Sequence, residues 1–263
     1  MKKKLLFLIS LTIVCLVTFS NAAFAWFTKQ YNPSVDGVRF NVATQEHIMI
    51  STTGNKGTFN DNISFSEFVN QSLTLLPLEG VVSENKISIQ DGGYEVNQNE
   101  HYIKLSLYFY ASNDMDVYLE GSTSGTVIDP ITVDNSITDQ NQVDKIVDSM
   151  RIGFLSYYTR ETPTSSGIEI SYDPVKTNIY SVNEKTNASY VGGLRYETFN
   201  NIGHTEGILD DVVLLSVSAN KVSKLDVYIW LEKKDVNCVE NIPSSLVQIN
   251  LRFLGVKTEG AGS

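Results

Sequence analysis

Metal-dependent hydrolysis needs histidines and carboxylates at fixed spacings. The three histidines here, His47, His101 and His204, stand far apart, and none sits in an H-E-x-x-H run. No zinc centre is predicted, and His101, just ahead of an apolar alternation, reads as a surface imidazole. Serine nucleophiles need a base and an oxyanion hole, and no G-x-S-x-G elbow singles out one serine. Cys238 lies in the acidic run Asp235-Val236-Asn237-Cys238-Val239-Glu240, whose charge raises a thiol pKa and blunts its reactivity. Carboxylate pairs such as Asp210 with Asp211, or Glu232 with Asp235, have the residue types of glycoside hydrolysis, yet among 30 acids such pairs arise by chance. Asp129, Asp134, Asp139 and Asp144 crowd one segment without the spacing of a calcium loop, so a solvated acidic surface is expected there. Gly92-Gly93 and Gly192-Gly193 lack the helix and lysine of a phosphate loop and read as turns. The residues thus predict no enzyme, no metal and no cofactor.

The elements that would position any site are strands. From Tyr102 to Tyr110, Ile103, Leu105, Leu107 and Phe109 fall on one face, with Lys104 and Ser106 on the other. Leu225, Val227, Ile229 and Leu231 alternate with Asp226, Tyr228, Trp230 and Glu232, and Val247, Ile249, Leu251 and Phe253 alternate with Gln248, Asn250 and Arg252. These read as half-buried antiparallel strands. Shorter strands are expected at Val38–Val42, Ile48–Ser51, Lys86–Gln90, Val117–Glu120, Arg151–Tyr158, Ile168–Tyr172, Thr177–Ser181 and Val212–Val217. Helical spacing of Val143, Ile146, Val147 and Met150 predicts a helix over Asn141–Met150, and a second is expected over Phe65–Leu76, ended by Pro77. Gly54–Asn62 and Thr162–Gly167 are polar enough to be loops. The fold class is all-β: an antiparallel sandwich of jelly-roll type with one or two short helices.

Compartment and organisation come from the N-terminus. Lys2, Lys3 and Lys4 precede an apolar and small-residue run from Leu5 to Phe19, followed by Ala23-Phe24-Ala25. That order reads as a helical signal peptide, residues 1–25, cleaved before Trp26; the alternative is an uncleaved membrane anchor, although the run is shorter than the roughly 20 residues a spanning helix needs. Cleavage would remove three lysines and no acids, leaving 17 basic residues against 30 acidic ones, a net charge of −13. No basic cluster survives, which excludes nucleic acid as a partner and leaves membrane contact only through an uncleaved leader. Residues 26–263 form one expected domain ending in a frayed tail, 258–263. Of the two cysteines, Cys15 lies in the leader, so Cys238 has no intramolecular disulfide partner. It reads first as a small buried hydrophobe, then as an intermolecular cross-link, last as a nucleophile.

Two stretches carry a likeness. One is Ala25-Trp26-Phe27-Thr28 followed by Val35-Asp36-Gly37-Val38-Arg39-Phe40-Asn41-Val42 and Ile48-Met49-Ile50-Ser51; the other is Val227-Tyr228-Ile229-Trp230-Leu231-Glu232, then Asp235, Cys238 and Leu251-Arg252-Phe253. Together they resemble exported proteins of Gram-positive bacteria in or near the TasA/camelysin group, whose leaders are often processed by a specialised signal peptidase. Arg151-Ile152-Gly153-Phe154 and Ile179-Tyr180-Ser181-Val182-Asn183 are similar to a middle segment of uncharacterised members. The resemblance implies a jelly roll that assembles into biofilm fibres, an N-terminal strand of one subunit completing the sheet of the next. The donor would be residues 26–42, with Trp26, Phe27, Tyr31, Val38 and Phe40 as the docking side chains. Its motif residues here are Trp230, Glu232, Asp235 and Cys238. Lys233 departs from the glycine common after W-[LIV]-E, and the missing zinc motif gives no support to the peptidase label attached to camelysin-type members.

The resulting expectation is a secreted or cell-surface structural protein whose partners are itself or a related fibre subunit, and signal peptidase during export. The alternative is a monomeric binding module that presents Tyr108, Tyr110, Tyr157 and Tyr158 to a glycan or host protein. Trp230 is read either as an aromatic packed on the sheet or as an interface or ligand contact.

Overall fold

The period-2 alternation produces strands across most of the described residues. The computed structural model describes residues 34–43, 48–55, 57–65, 73–98, 101–121, 130–133, 140–183, 196–200, 212–238 and 246–258. Along these run β1 (Ser34–Ala43), β2 (Ile48–Ser51), β3 (Asn62–Phe65), β4 (Leu73–Thr74), β5 (Pro77–Ser83), β6 (Lys86–Asp91), β7 (Tyr94–Glu95), β8 (Ile103–Ala111), β9 (Met115–Leu119) and β10 (Ile131–Val133). Helix α1 (Gln140–Ser149) leads directly into β11 (Met150–Thr164), followed by β12 (Gly167–Tyr180), β13 (Leu215–Val217), β14 (Val222–Glu232) and β15 (Leu246–Lys257).

Two sheets result. One has β15 at its centre, with β1 and then β3 and β4 on one side and β9 and β10 on the other, β13 beyond β9. The other centres on β14, flanked by β11 and β12 on one side and by β8 and β2 on the other; β5, β6 and β7 continue from the end of β14. Among the described residues most strand pairings are antiparallel, as the alternation predicts, but two between named strands are not. β1 runs parallel to β15, with Val38 opposite Ile249 and Phe40 opposite Leu251, and β5 runs parallel to β14 over Leu231 and Glu232.

The inner faces share one core. Phe253 on β15 is its hub: its ring stacks on Phe40 of β1 at 6.2 Å and takes Phe109 of β8 and Phe154 of β11 edge-on at 5.2 and 6.4 Å. These contacts join both sheets, and aromatic pairs in such offset and edge-on arrangements add to the area they bury. Ile103, Leu105, Leu107 and Phe109 face this core, while Lys104, Ser106, Tyr108 and Tyr110 face outward from β8.

Several expectations need correction. The helix expected over Phe65–Leu76 does not span it: Phe65 closes β3 and Leu73–Thr74 form β4, because both segments pair with β1, Val38 opposite Phe65 and Val35 opposite Leu73. Pro77 starts a strand instead of ending a helix, a position that needs no N–H in the ladder. The helix expected over Asn141–Met150 is α1, with Ile146 buried, and Met150 opens β11. Ile168–Tyr172 and Thr177–Tyr180 belong to one strand, β12, and Ser181 lies just beyond its end. Thr162–Gly167 is no loop but the end of a long β11–β12 hairpin, with only Ser165 and Ser166 in the turn. β14 is not half-buried: its last eight residues are buried on both faces, Trp230 and Glu232 on the outer face under β5 and β6 and Asp226 among Ser106, Tyr157, Lys104 and Lys224.

Ala23, Ala25, Trp26, Phe27 and Tyr31 lie outside the described residues, as do Asp129, Asp134, Asp139 and Gly192-Gly193 and all of the expected tail beyond Thr258. Thr258 itself donates its N–H to the Asp114 carbonyl at 3.1 Å. The described residues all fall within one compact unit, Asn32–Ser263. No helix among them is long and apolar enough to cross a membrane.

Candidate functional site

The four motif residues cluster at the end of β14. The strand carries Trp230 and Glu232 into a tight turn in which the Asp235 N–H bonds to the Glu232 carbonyl at 3.0 Å and the Cys238 N–H to the Asp235 carbonyl at 2.9 Å. Trp230 is fully buried, but on the outer face of its sheet and not in the main core. There it packs with Leu78, Ile87, Ile89, Leu155, Ile179 and Tyr196. The space comes from two glycines: a Cβ on Gly80 of β5 would sit 2.7 Å from Trp230 Cζ2, and one on Gly153 of β11 would sit 3.1 Å from Trp230 Cζ3 and 2.8 Å from Ile87 Cδ1.

Glu232 is equally buried and is held by donors from three segments. Its Oε2 accepts the Tyr196 hydroxyl at 2.6 Å, the Trp230 indole Nε1–H at 3.1 Å and the Gly80 N–H at 3.2 Å; Oε1 accepts the Lys234 N–H at 3.1 Å. A buried carboxylate is tolerated only when its oxygens are satisfied in this way. Asp235 faces the other way, toward β11, where Arg151 Nη2 donates to its Oδ2 at 2.5 Å with neither side chain exposed. Arg151 Nη1 also donates to the Asp148 and Met150 carbonyls, both at 2.6 Å, which ties the end of α1 to the pair. Asp148 in turn accepts from Asn237 at 3.1 Å and from Asn183.

Cys238 is half-buried beside this network. Burial pushes its thiol up to about 12, with the Asp235 and Glu232 carboxylates adding to the shift and a hydrogen bond with Ser149 opposing it. A thiol held neutral at ordinary pH is a poor nucleophile. What the four motif residues do together is structural: they lock the β14 end to β5, β11 and α1.

A second polar cluster lies on the outer face of the same sheet. Asp226 of β14 is buried and accepts from Ser106 at 2.6 Å and Tyr157 at 2.7 Å, with the Lys224 and Lys104 ammonium groups at 3.0 and 3.6 Å. Lys224 also stands 4.2 Å from the Tyr157 ring centre. Burial, then the bond to Asp226 and its charge, push the Tyr157 hydroxyl far above its usual range; Tyr228 is raised by burial and then by the Asp226 charge. Of the four tyrosines expected to form a binding face, Tyr108, Tyr110 and Tyr157 do share this outer face. Tyr158, the next residue along β11, falls on the opposite side of the strand from Tyr157 and is exposed.

Val38 and Phe40 lie in the main core, on a strand paired on both sides, with β15 and with β3. Among the described residues no group of three or more histidines, cysteines or acids is placed to hold a metal ion. Arg151, Tyr196, Gly80 and Asp226 are the residues that sequence reasoning did not assign to these clusters. A charged residue within an apolar strand is the one available signal; for Arg151 it marks a buried ion pair and for Asp226 a buried carboxylate held by partly exposed lysines.

What the fold defines is a mostly β protein of two sheets with one helix among the described residues. No family model matches the chain, and no curated protein does.

Proposed function

We propose that the chain is an exported structural protein, a subunit or accessory of an extracellular fibre, built on a sandwich of jelly-roll type and joined to its neighbour through its N-terminal segment. The observation that carries this reading is the state of the residues best equipped for chemistry. Glu232, Asp235 and Arg151 are buried and bonded within the fold, and Cys238 beside them is half-buried with its thiol pushed up by burial. Two facing sheets with a shared aromatic core support the sandwich, and the parallel β1–β15 and β5–β14 pairs are its departures from an all-antiparallel plan. The TasA/camelysin likeness and the leader support export by signal peptidase, with no metal and no enzymatic activity in the reading.

The burial of β1 supports a shorter donor than residues 26–42. Val38 and Phe40 are core residues of their own subunit, so withdrawing β1 would open its own core. The donor in this reading is therefore Trp26 to Pro33, where Trp26, Phe27 and Tyr31 are costly to leave in water. The test removes residues 26–33 from the exported chain and follows assembly by electron microscopy and light scattering. Loss of polymers with an unchanged circular dichroism spectrum supports the reading; undiminished polymers overturn the strand-exchange mechanism. N-terminal sequencing of protein recovered from culture should give Trp26, and recovery of Met1 in a membrane fraction would overturn export by cleavage.

A further inference from the structure

We infer that the groove between the β6–β7 hairpin and the outer face of β8, β11 and β14 binds a neutral oligosaccharide. The groove encloses about 490 Å³, within the roughly 300–1,000 Å³ typical of small-molecule sites. Its chemistry narrows the ligand. Tyr228 forms part of the lining, with the Lys104 ammonium 5.1 Å from its ring centre. Tyr157 forms another part, and its ring is set in advance: the hydroxyl is bonded to Asp226 at 2.7 Å and Lys224 stands over the ring. A ring fixed before the ligand arrives loses little freedom on binding.

The rim is polar and mixed in sign. Glu95 takes the Ser88 hydroxyl at 2.7 Å and the Lys86 ammonium at 3.2 Å, and the side-chain amides of Asn97 and Gln98 follow it along the edge. An apolar ligand would strip water from these groups without replacing its hydrogen bonds. An anionic ligand would look to the Lys86 and Lys104 ammonium groups in the lining, but Lys86 is already paired with Glu95 at 3.2 Å and Lys104 with Asp226 at 3.6 Å, so an anion would have to compete with these carboxylates. A sugar supplies donors and acceptors together for amide, hydroxyl and carboxylate, and a C–H face for a tyrosine ring. The site lies on a single chain, so binding can be read on monomers and stands apart from the assembly reading.

The test is isothermal titration calorimetry of the full chain with four probes: β-1,4-linked and β-1,3-linked glucose tetraoses, an N-acetylglucosamine tetraose, and a galacturonic acid tetraose. Saturable binding of at least one neutral tetraose is expected. Tyr157→Ala and Gln98→Ala should each weaken it about tenfold or more, a free-energy loss of about 1.4 kcal/mol. Tyr94→Ala, exposed on β7 outside the groove, should leave it unchanged. Gln98 is exposed, so its truncation keeps the test open if Tyr157→Ala does not fold. The inference is overturned by no neutral binding, by binding of the acidic tetraose alone, or by neutral binding that survives both groove substitutions.

Discussion

Arg151 and Asp235, 84 positions apart in the chain, form an ion pair at 2.5 Å with both side chains fully buried. The pair joins the start of β11 to the turn after β14, and both strands belong to the same sheet. Two buried charges attract strongly at this distance, yet each also forfeits its hydration, so the pair's net contribution is smaller than the cost of breaking it.

That asymmetry sets the first prediction. Arg151→Met leaves Asp235 buried without its guanidinium and should destabilise the chain by about 3–5 kcal/mol. Adding Asp235→Leu to the same chain should recover most of the loss. Urea unfolding followed by circular dichroism measures both, and equal stability of the single and double variants would show that the charge is not what matters.

Trp230 makes the second. Gly80→Ala puts a methyl group 2.7 Å from the indole, and overpacking of this kind costs about 1–3 kcal/mol. The displaced ring should also lose its Nε1–H bond to Glu232, moving the tryptophan fluorescence maximum. An unchanged spectrum and midpoint would mean that β5 yields freely.

The contrast between these residues and the alternating strands explains how much the sequence discloses. Ile103 to Phe109 and Val247 to Phe253 declare their buried face through simple alternation, and β8 and β15 follow it. Burial of Trp230 and Glu232 depends on β5 and β6 arriving to cover them, and no local period encodes that. For the same reason the motif residues could be named from the sequence while their partners, Arg151 and Tyr196, could not. Phe65 and Leu73 followed their pairing with β1 over any helical preference. The outer face of this sheet is half legible: the outward residues of β8 follow the alternation, but the shift in register between Ser156 and Tyr157 on β11 has no signal in the sequence.

Phe253 carries the third prediction. It is fully buried and contacts phenylalanines on β1, β8 and β11, so Phe253→Ala should cost about 3–5 kcal/mol. Because those partners come from both sheets, the whole chain should unfold in one transition at lower denaturant. A second, separate transition would show that the two sheets melt independently.

Alkaline pH gives the fourth. The Tyr157 and Tyr228 hydroxyls are raised above the usual 10, chiefly by burial, and Cys238 is raised from 9.0 to about 12. Above these ordinary values the unfolded chain has released protons that the folded chain still holds, so stability falls as pH rises. The contribution is complete below about pH 9 for the thiol and below about 10 for the phenols. The urea midpoint should therefore drop between pH 9 and pH 11, and Cys238→Ala should flatten the early part of that fall. A midpoint constant across this range would contradict the burial of all three groups.

The parallel pairing of β1 with β15 sets the timetable of folding. Ser34 is opposite Leu246, so β1 can pair with β3 early but cannot meet β15 until residues 246–257 have left the ribosome. At roughly 5–20 residues per second, that wait is on the order of 10–40 s. Until then Phe40 lacks Phe253, and the nascent chain must stay open and shielded from its own kind.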